Sequence, residues 1–350
     1  MKYLGMIPKS QCEWIKQLND SKYLEHGIDS YSQGELVDLL ETRVSQLLGK
    51  PKALFFNKGM TAQFCTLKVV QQFTNNDKVA FHPLSHMAFD EQSSVQHLLN
   101  LHPILIGEPD AFFSLDSLSS MSQIPATVIF ELPLRRSGFR LPNLESLKEM
   151  VNWCRSKNIH SHMDGARLWE SAPFYQSSPK QLAEDFDSVY VSLYKGLGAM
   201  GGAILAGEEN FINQCKIWRT RFSGDHYTLF PFIVSALDGL DRHIQDFQAL
   251  AQRAQEIAQL LRTFESLTIA KPQTNGFHIL FNQELSEEKV EQLNNKAIEL
   301  SKKMNINLFR SIIPCPYSDR PMIEIQVCNS NNAISDEDII DYFNQLLSEL

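Results

Sequence analysis

The sequence predicts an α/β fold: a large, mostly parallel β-sheet flanked by helices, followed by a smaller C-terminal α+β segment. Short apolar runs rich in β-branched residues alternate with longer runs of helical period up to about residue 240, the pattern of successive strand–helix units. His86, Glu131, Asp164 and Lys195 each fall at or just past the end of a predicted strand, where open α/β sheets collect their ligands. From about residue 241 the alternation gives way to a long helical stretch and strands in close succession.

The elements follow in order. ELVDLLETRVSQLLGK sets Leu36, Leu39, Leu40, Val44, Leu47 and Leu48 at helical spacing and stops at Gly49, a C-terminal signal. A strand over residues 52–56, a glycine-containing turn and a helix over 60–73 come next. KVAFHP reads as a strand, residues 90–99 as a helix, PILIG and ATVIFELP as strands, LESLKEMVNWCRSKN as a helix and IHSHMD as a strand. Residues 187–193 and 202–206 form two further strands, on either side of Lys195 and its glycines. Beyond them lie a helix over 241–264, GFHILF as a strand, a helix through Ile298, INLFRSI and MIEIQV as strands, and a last helix from Asp336. That helix is capped by Ser335, with Asp338 three residues on. We assign residues 1–20 to an N-terminal arm, 21–240 to the large domain and 241–350 to the small one.

At 350 residues the chain exceeds one ordinary hydrophobic core, which supports two domains. The net charge of −9, with lysines and arginines scattered, gives no basic stripe for nucleic acid. No run approaches the roughly 20 apolar residues of a membrane helix. MKYLGMIPKSQCEW lacks the features of a secretory signal, so the expected location is cytoplasmic. Cys12, Cys65, Cys154, Cys215, Cys315 and Cys328 are dispersed with no C-x-x-C pair, which fits reduced thiols and predicts no metal site.

The segment DSVYVSLYKGLGAMGGAILAG puts Lys195 on a turn between two apolar runs. An ammonium there needs a carboxylate, a phosphate, or loss of its charge through covalent or pKa chemistry. GLGAMG matches the glycine pattern of a dinucleotide turn, but that turn needs a helix starting within the glycines, whereas GAILAG reads as a strand. In HMDGARLWE, Asp164 ends a strand and Arg167 follows; they form either a structural ion pair or two groups aimed into one crevice. NKGMTAQ is either an ordinary strand-to-helix loop or a phosphate nest, with Gly59 allowing close approach and the helix start offering free N–H groups. His86 could stack on an aromatic cofactor, move protons, or be structural; His82, His160 and His162 read as structural. A lysine amine, a carboxylate for a ring nitrogen and a phosphate nest together fit pyridoxal 5'-phosphate.

HMDGARLW and the later YKGLGAMGGAILAG resemble the threonine aldolase and β-eliminating lyase family of fold-type-I pyridoxal phosphate enzymes. The resemblance runs from about residue 27 to 240: GIDSYSQGELVDLLE is similar to the family's Asp-Tyr-Gly segment and ALFFNKGMTAQ to its phosphate loop. SHMAFDEQ is similar to its histidine-bearing segment and RFSGDHYTLFPFIVSAL to its subunit contact. It implies a fold-type-I, PLP-dependent transferase-like architecture with a seven-stranded sheet, and a homodimer or homotetramer acting on a small amino acid. By this resemblance Lys195 would carry the cofactor covalently and Asp164 would keep its pyridinium nitrogen protonated. Arg167 would contact the phenolic oxygen or the substrate carboxylate, His86 would stack on the ring, and the amides of Gly59 and Met60 would take the phosphate. Glu91 would lie close to the site and Tyr31 near its entrance.

Three departures accompany the resemblance. The family's Ser-Asp-Thr has no counterpart in MKYLGMIPKS, and Leu134 stands where the family has a histidine. Glu324 falls near the place of its carboxylate-gripping arginine, for which Arg135, Arg310 and Arg320 are candidates to substitute. The implied activity is retro-aldol cleavage of L-threonine or L-allo-threonine to glycine and acetaldehyde, with His86 or an ordered water as base. The alternatives are a β-eliminating lyase acting on another amino acid, a cofactor-binding homologue without turnover, and, more remotely, a nicotinamide oxidoreductase.

Overall fold

Seven strands hydrogen-bond into one sheet in the order Lys52–Phe56, Ala203–Gly207, Ser188–Ser192, His160–Gly165, Thr127–Glu131, Lys78–Phe81, His102–Leu105. This computed structural model describes residues 1–328 and 334–348. All neighbours are parallel except Ala203–Gly207, which is antiparallel to the strands on both sides. The exception has a local cause. After Ser192 the chain turns back through Gly198 (φ 67°) and Gly202 (φ 94°), backbone that side chains rarely adopt, and so makes a hairpin instead of a helical crossover. The same turn excludes a dinucleotide-binding arrangement, because the glycines lead into a strand and not a helix.

Helices cover this sheet, and its central strands are buried on both faces, including every residue of Thr127–Glu131, Ser188–Ser192 and Ala203–Gly207. Helix Glu35–Leu48 buries Leu36, Val37, Leu40, Val44 and Leu48 and ends at Gly49 in the left-handed conformation (φ 64°), as its spacing predicts. Residues 90–99 do not form the single helix expected. Gln92 and Ser93 take left-handed backbone (φ 49° and 56°), which interrupts the i to i−4 ladder and leaves two short helices, His86–Phe89 and Ser94–His97. The stretch over 241–264 is likewise divided, into the end of Phe230–His243 and the helix Phe247–Leu261. Lys9–Leu134 and Leu141–Ile244 make up this unit.

The second compact unit comprises Met1–Pro8, Arg135–Arg140 and Gln245–Leu350. Its antiparallel sheet has the order Ile312–Pro314, Pro321–Gln326, Gly276–Phe281, Leu267–Ile269, and it packs with helices Phe247–Leu261, Glu287–Met304 and Asp336–Leu347 around Phe277, Ile279, Phe281, Ile323 and Phe343. INLFRSI is not one strand: Ile306–Asn307 pairs in parallel with Lys2–Tyr3, and the sheet resumes at Ile312. Asp336–Leu347 carries the expected capping box between Ser335 and Asp338. The fold class is therefore the predicted one, a large mostly parallel sheet with flanking helices and a smaller α+β unit. Among the described residues no helix is long and apolar enough to cross a membrane, and no cluster of His, Cys, Asp or Glu could hold a metal ion.

The edge strand Lys52–Phe56 is closed by two side chains. Phe55 donates its N–H to Glu41 Oε1 (2.7 Å), and its carbonyl accepts from Nη1 of Arg219 (2.6 Å). Arg219, 1% exposed, also donates from Nε to Asp225 Oδ1 (2.8 Å). A buried guanidinium held by a backbone carbonyl and a carboxylate satisfies an edge that would otherwise present unpaired groups. Arg219→Met keeps the apolar stem and removes both bonds. The expected loss is about 3 kcal/mol of unfolding free energy, read as a lower denaturant midpoint at unchanged slope.

Candidate active site

Parallel register brings the first carboxylates together. Glu131 lies opposite Asp164, and Asp164 opposite Tyr190, on three neighbouring strands, with Lys195 just past the end of the third. Asp164 is buried, and each of its oxygens accepts an N–H: Oδ2 from the side-chain amide of Gln63 and Oδ1 from the backbone of Ala166 (3.1 Å). Burial pushes the Lys195 ammonium down to about 8, and Arg167 adds to the effect; Asp164, Glu131 and Glu170 act in the opposite direction. At pH 7 roughly a tenth of such amines are uncharged, against about one in three thousand for an ordinary lysine.

The histidine segment joins this group through hydrogen bonds. His86 begins a short helix capped by Ser85, and its backbone N–H donates to Glu131 Oε2 (2.6 Å). Its ring stands between two carboxylates, Nδ1 to Asp90 Oδ2 at 3.0 Å and Nε2 to Glu91 Oε1 at 3.2 Å. Burial raises the Tyr194 phenol, which also feels Arg167, Asp164 and Glu91. His86, Glu91, Asp164, Arg167 and Lys195 thus share one electrostatic neighbourhood.

Gly59 opens the 16-residue helix Gly59–Thr74, whose N-cap, Lys58, makes no side-chain capping bond. A Cβ on Gly59 would lie 2.1 Å from Tyr190 Oη, so glycine is required there. Burial raises the Tyr190 phenol well above its ordinary value, and Asp164 adds to the shift. A helix start without a side-chain cap, at Gly59 and Met60, suits a phosphate. A buried carboxylate with both oxygens accepting suits a protonated ring nitrogen, and a lysine with a lowered pKa suits an aldehyde. The donor set therefore fits pyridoxal phosphate.

Tyr31, 58% exposed at φ 48°, meets the ring of Tyr227 edge-on and donates its N–H to the Tyr227 carbonyl (3.0 Å). Arg135, Arg310 and Arg320 belong to the smaller unit. Arg135 donates from Nε (3.1 Å) and Nη2 (2.9 Å) to Glu324 Oε1, which also accepts from Gln326 (2.7 Å). Burial alone would raise the Glu324 carboxyl, but His278 and Arg135 outweigh it and hold the group at about 2. Arg320 lies in the turn before strand Pro321–Gln326, and Arg310 lies between Asn307 and Ile312. Leu134 is fully buried.

Two polar residues at this site carry no expectation from sequence. Gln63 follows Gly59 by one helical turn and is 1% exposed; a glutamine in a buried stretch of helix is the signal that could have found it. Glu170 is buried with Oε2 unpartnered, and burial pushes its carboxyl upward.

The sequence profile of the family described as beta-eliminating lyase matches residues 19–284. A low-specificity L-threonine aldolase of Candida albicans is 24% identical over 302 residues, 83% of this chain and 78% of that protein. A solved structure from Listeria monocytogenes, provisionally described as an L-allo-threonine aldolase, superimposes with a TM-score of 0.92 at 29% identity, covering 100% of this chain and 96% of that one. Another from Exiguobacterium, provisionally described as an aromatic amino acid beta-eliminating lyase or threonine aldolase, gives 0.91 at 28% identity over 99% and 96% of the two chains.

In cofactor-free protein, acylation of Lys195 is expected to quicken about tenfold per pH unit below 8 and to level off above it, while exposed lysines keep gaining reactivity past pH 10. Arg167→Met removes a like charge and raises the midpoint; Asp164→Asn removes an opposite one and lowers it. Peptide-resolved labelling across pH measures both. Gly59→Ala is expected to weaken phosphate binding at least about tenfold by displacing Tyr190 or the helix start, measured by isothermal titration with pyridoxal phosphate.

Proposed function

The chain belongs to the beta-eliminating lyase family, and from that premise we propose a pyridoxal 5'-phosphate-dependent lyase that cleaves L-threonine or L-allo-threonine to glycine and acetaldehyde. The observation that carries this reading is the lowered ammonium of Lys195 beside Asp164 and Arg167. When bound, pyridoxal phosphate supplies an aldehyde that condenses with an amino acid's nitrogen and a protonated ring that accepts the electron pair left at Cα.

The protein's own residues would hold and steer that chemistry. The backbone N–H groups of Gly59 and Met60 would bind phosphate oxygens at a helix start whose dipole favours negative charge. Asp164, its oxygens already fixed by Gln63 and Ala166, would keep a proton on the ring nitrogen. Lys195 would carry the cofactor between turnovers and shuttle a proton at Nζ, a task suited to an amine with a pKa of about 8. Arg167 would orient the phenolic oxygen or the substrate carboxylate. The pair His86 and Glu91, 3.2 Å apart, would take the proton from the substrate hydroxyl as the Cα–Cβ bond breaks.

Relatives carrying the names L-threonine aldolase and L-allo-threonine aldolase support the substrate class. Elimination at Cβ of another amino acid is the second reading, and the buried Leu134 favours it by replacing the histidine expected of the resembled aldolases. A homodimer or homotetramer inside the cell completes the proposal.

Purified protein given pyridoxal phosphate is expected to turn yellow, and L-threonine or L-allo-threonine to yield equal amounts of glycine and acetaldehyde. Lys195→Ala is expected to lower turnover by more than about 10³-fold, a loss of roughly 4 kcal/mol of barrier lowering. Ammonia and a keto acid from serine, cysteine or an aromatic amino acid, without acetaldehyde from threonine, establish β-elimination instead. Colour without turnover of any amino acid contradicts both.

A further inference from the structure

Four polar side chains run in series behind Asp164, and the mechanism above uses only the first. Gln63 donates its amide N–H to Asp164 Oδ2. Its Oε1 faces His162 Nε2 at 3.1 Å, His162 Nδ1 faces Ser188 Oγ at 2.7 Å, and the same oxygen faces His160 Nε2 at 2.7 Å. Gln63, His162 and Ser188 are 1%, 0% and 0% exposed. The placement follows from strand geometry: His160, His162 and Asp164 alternate onto one face of strand His160–Gly165, and Ser188 lies opposite His162 in the neighbouring strand.

Each bond in the series has one allowed direction. An ionised carboxylate only accepts, so Gln63 must turn its NH₂ toward Asp164 and its oxygen toward His162. His162 must then carry its proton on Nε2. Burial pushes His162 down to about 3 and lowers His160 as well, so at neutral pH each ring has a single N–H. His162 Nδ1 is consequently an acceptor, the Ser188 hydroxyl must donate to it, and the serine oxygen must accept from His160 Nε2–H. Without the His162 N–H, the Gln63 oxygen loses its donor, and the Asp164 carboxylate alone holds the amide in this orientation.

We propose that Gln63 and His162 are positioning residues: with Ser188 and His160 they form a one-way hydrogen-bond relay that fixes Asp164 as an oriented, purely accepting carboxylate for the cofactor's ring nitrogen. This inference rests on the proposed pyridoxal phosphate site and adds residues that act through Asp164. Apolar side chains of equal size would fill the same space, but they would supply no donor. A packing role and a relay therefore differ in how substitutions combine.

The test uses pyridoxal phosphate affinity of the cofactor-free protein, by fluorescence titration, and the pH midpoint of the loaded protein's visible absorbance. It compares wild type with Gln63→Leu, His162→Phe, His162→Gln and the Gln63→Leu/His162→Phe double variant, with circular dichroism to verify folding. Gln63→Leu and His162→Phe are each expected to weaken binding at least about tenfold, the scale at which outer partners of a bound group act, and to move the midpoint in the same direction. The double variant is expected to stay within about threefold of Gln63→Leu, because His162 acts through Gln63. His162→Gln restores a donor and recovers most of the affinity. Multiplying losses in the double variant, or unchanged affinity and midpoint in both folded single variants, overturn the relay. If His162→Phe does not fold, Gln63→Met decides: it keeps nearly the length of glutamine without the donor, and behaviour as good as wild type overturns the relay. Wild-type protein that binds no pyridoxal phosphate overturns the proposed function itself, a separate result.

Discussion

Holding one half-buried ammonium among carboxylates and an arginine is the constraint on which the site in the large unit depends. Lys195 follows a strand buried on both faces, and a glycine turn returns the chain at once into another such strand. A buried lysine without partners can fall to about 5 or 6. Here it stays near 8, because Asp164, Glu131 and Glu170 offset part of the cost of burial while Arg167 adds to it. The balance leaves an amine that is mostly charged at neutral pH yet gives up its proton readily, as reversible covalent chemistry requires. The parallel sheet sets the balance, since its register places Glu131 and Asp164 side by side at strand ends close to the turn.

The smaller unit shows a second electrostatic adjustment. Glu324, which the resemblance puts near the family's carboxylate-gripping arginine, is a largely buried carboxylate and requires a partner. Arg135 provides two N–H donors to Oε1, Gln326 donates to the same oxygen, and His278 Nε2 lies 3.5 Å from Oε2. Arg135 is therefore already engaged by an acid of its own unit.

Much of this was legible in the sequence because it depends on local pattern. Alternating strands and helices gave the fold class, and strand ends marked Asp164 and Lys195. The glycine segment was recognisable as a turn between two strands because GAILAG has the character of a strand, but the antiparallel pairing was not. What was not legible depends on long-range pairing or on backbone that composition does not announce. Gln63 meets Asp164 and His162 across about a hundred residues of chain. Nothing in the sequence marks Arg219 as the residue that closes the edge of the sheet. Gln92 and Ser93 break a helix by left-handed backbone that neither residue type advertises, and Lys2–Tyr3 finds its parallel partner near the other end of the chain.

The most direct measurement is borohydride reduction of the protein equilibrated with pyridoxal phosphate, followed by peptide mass spectrometry. The account predicts a single pyridoxyl group on the peptide containing Lys195, with none retained when that residue is alanine. Stoichiometric labelling of a different lysine, or none at any, would contradict it.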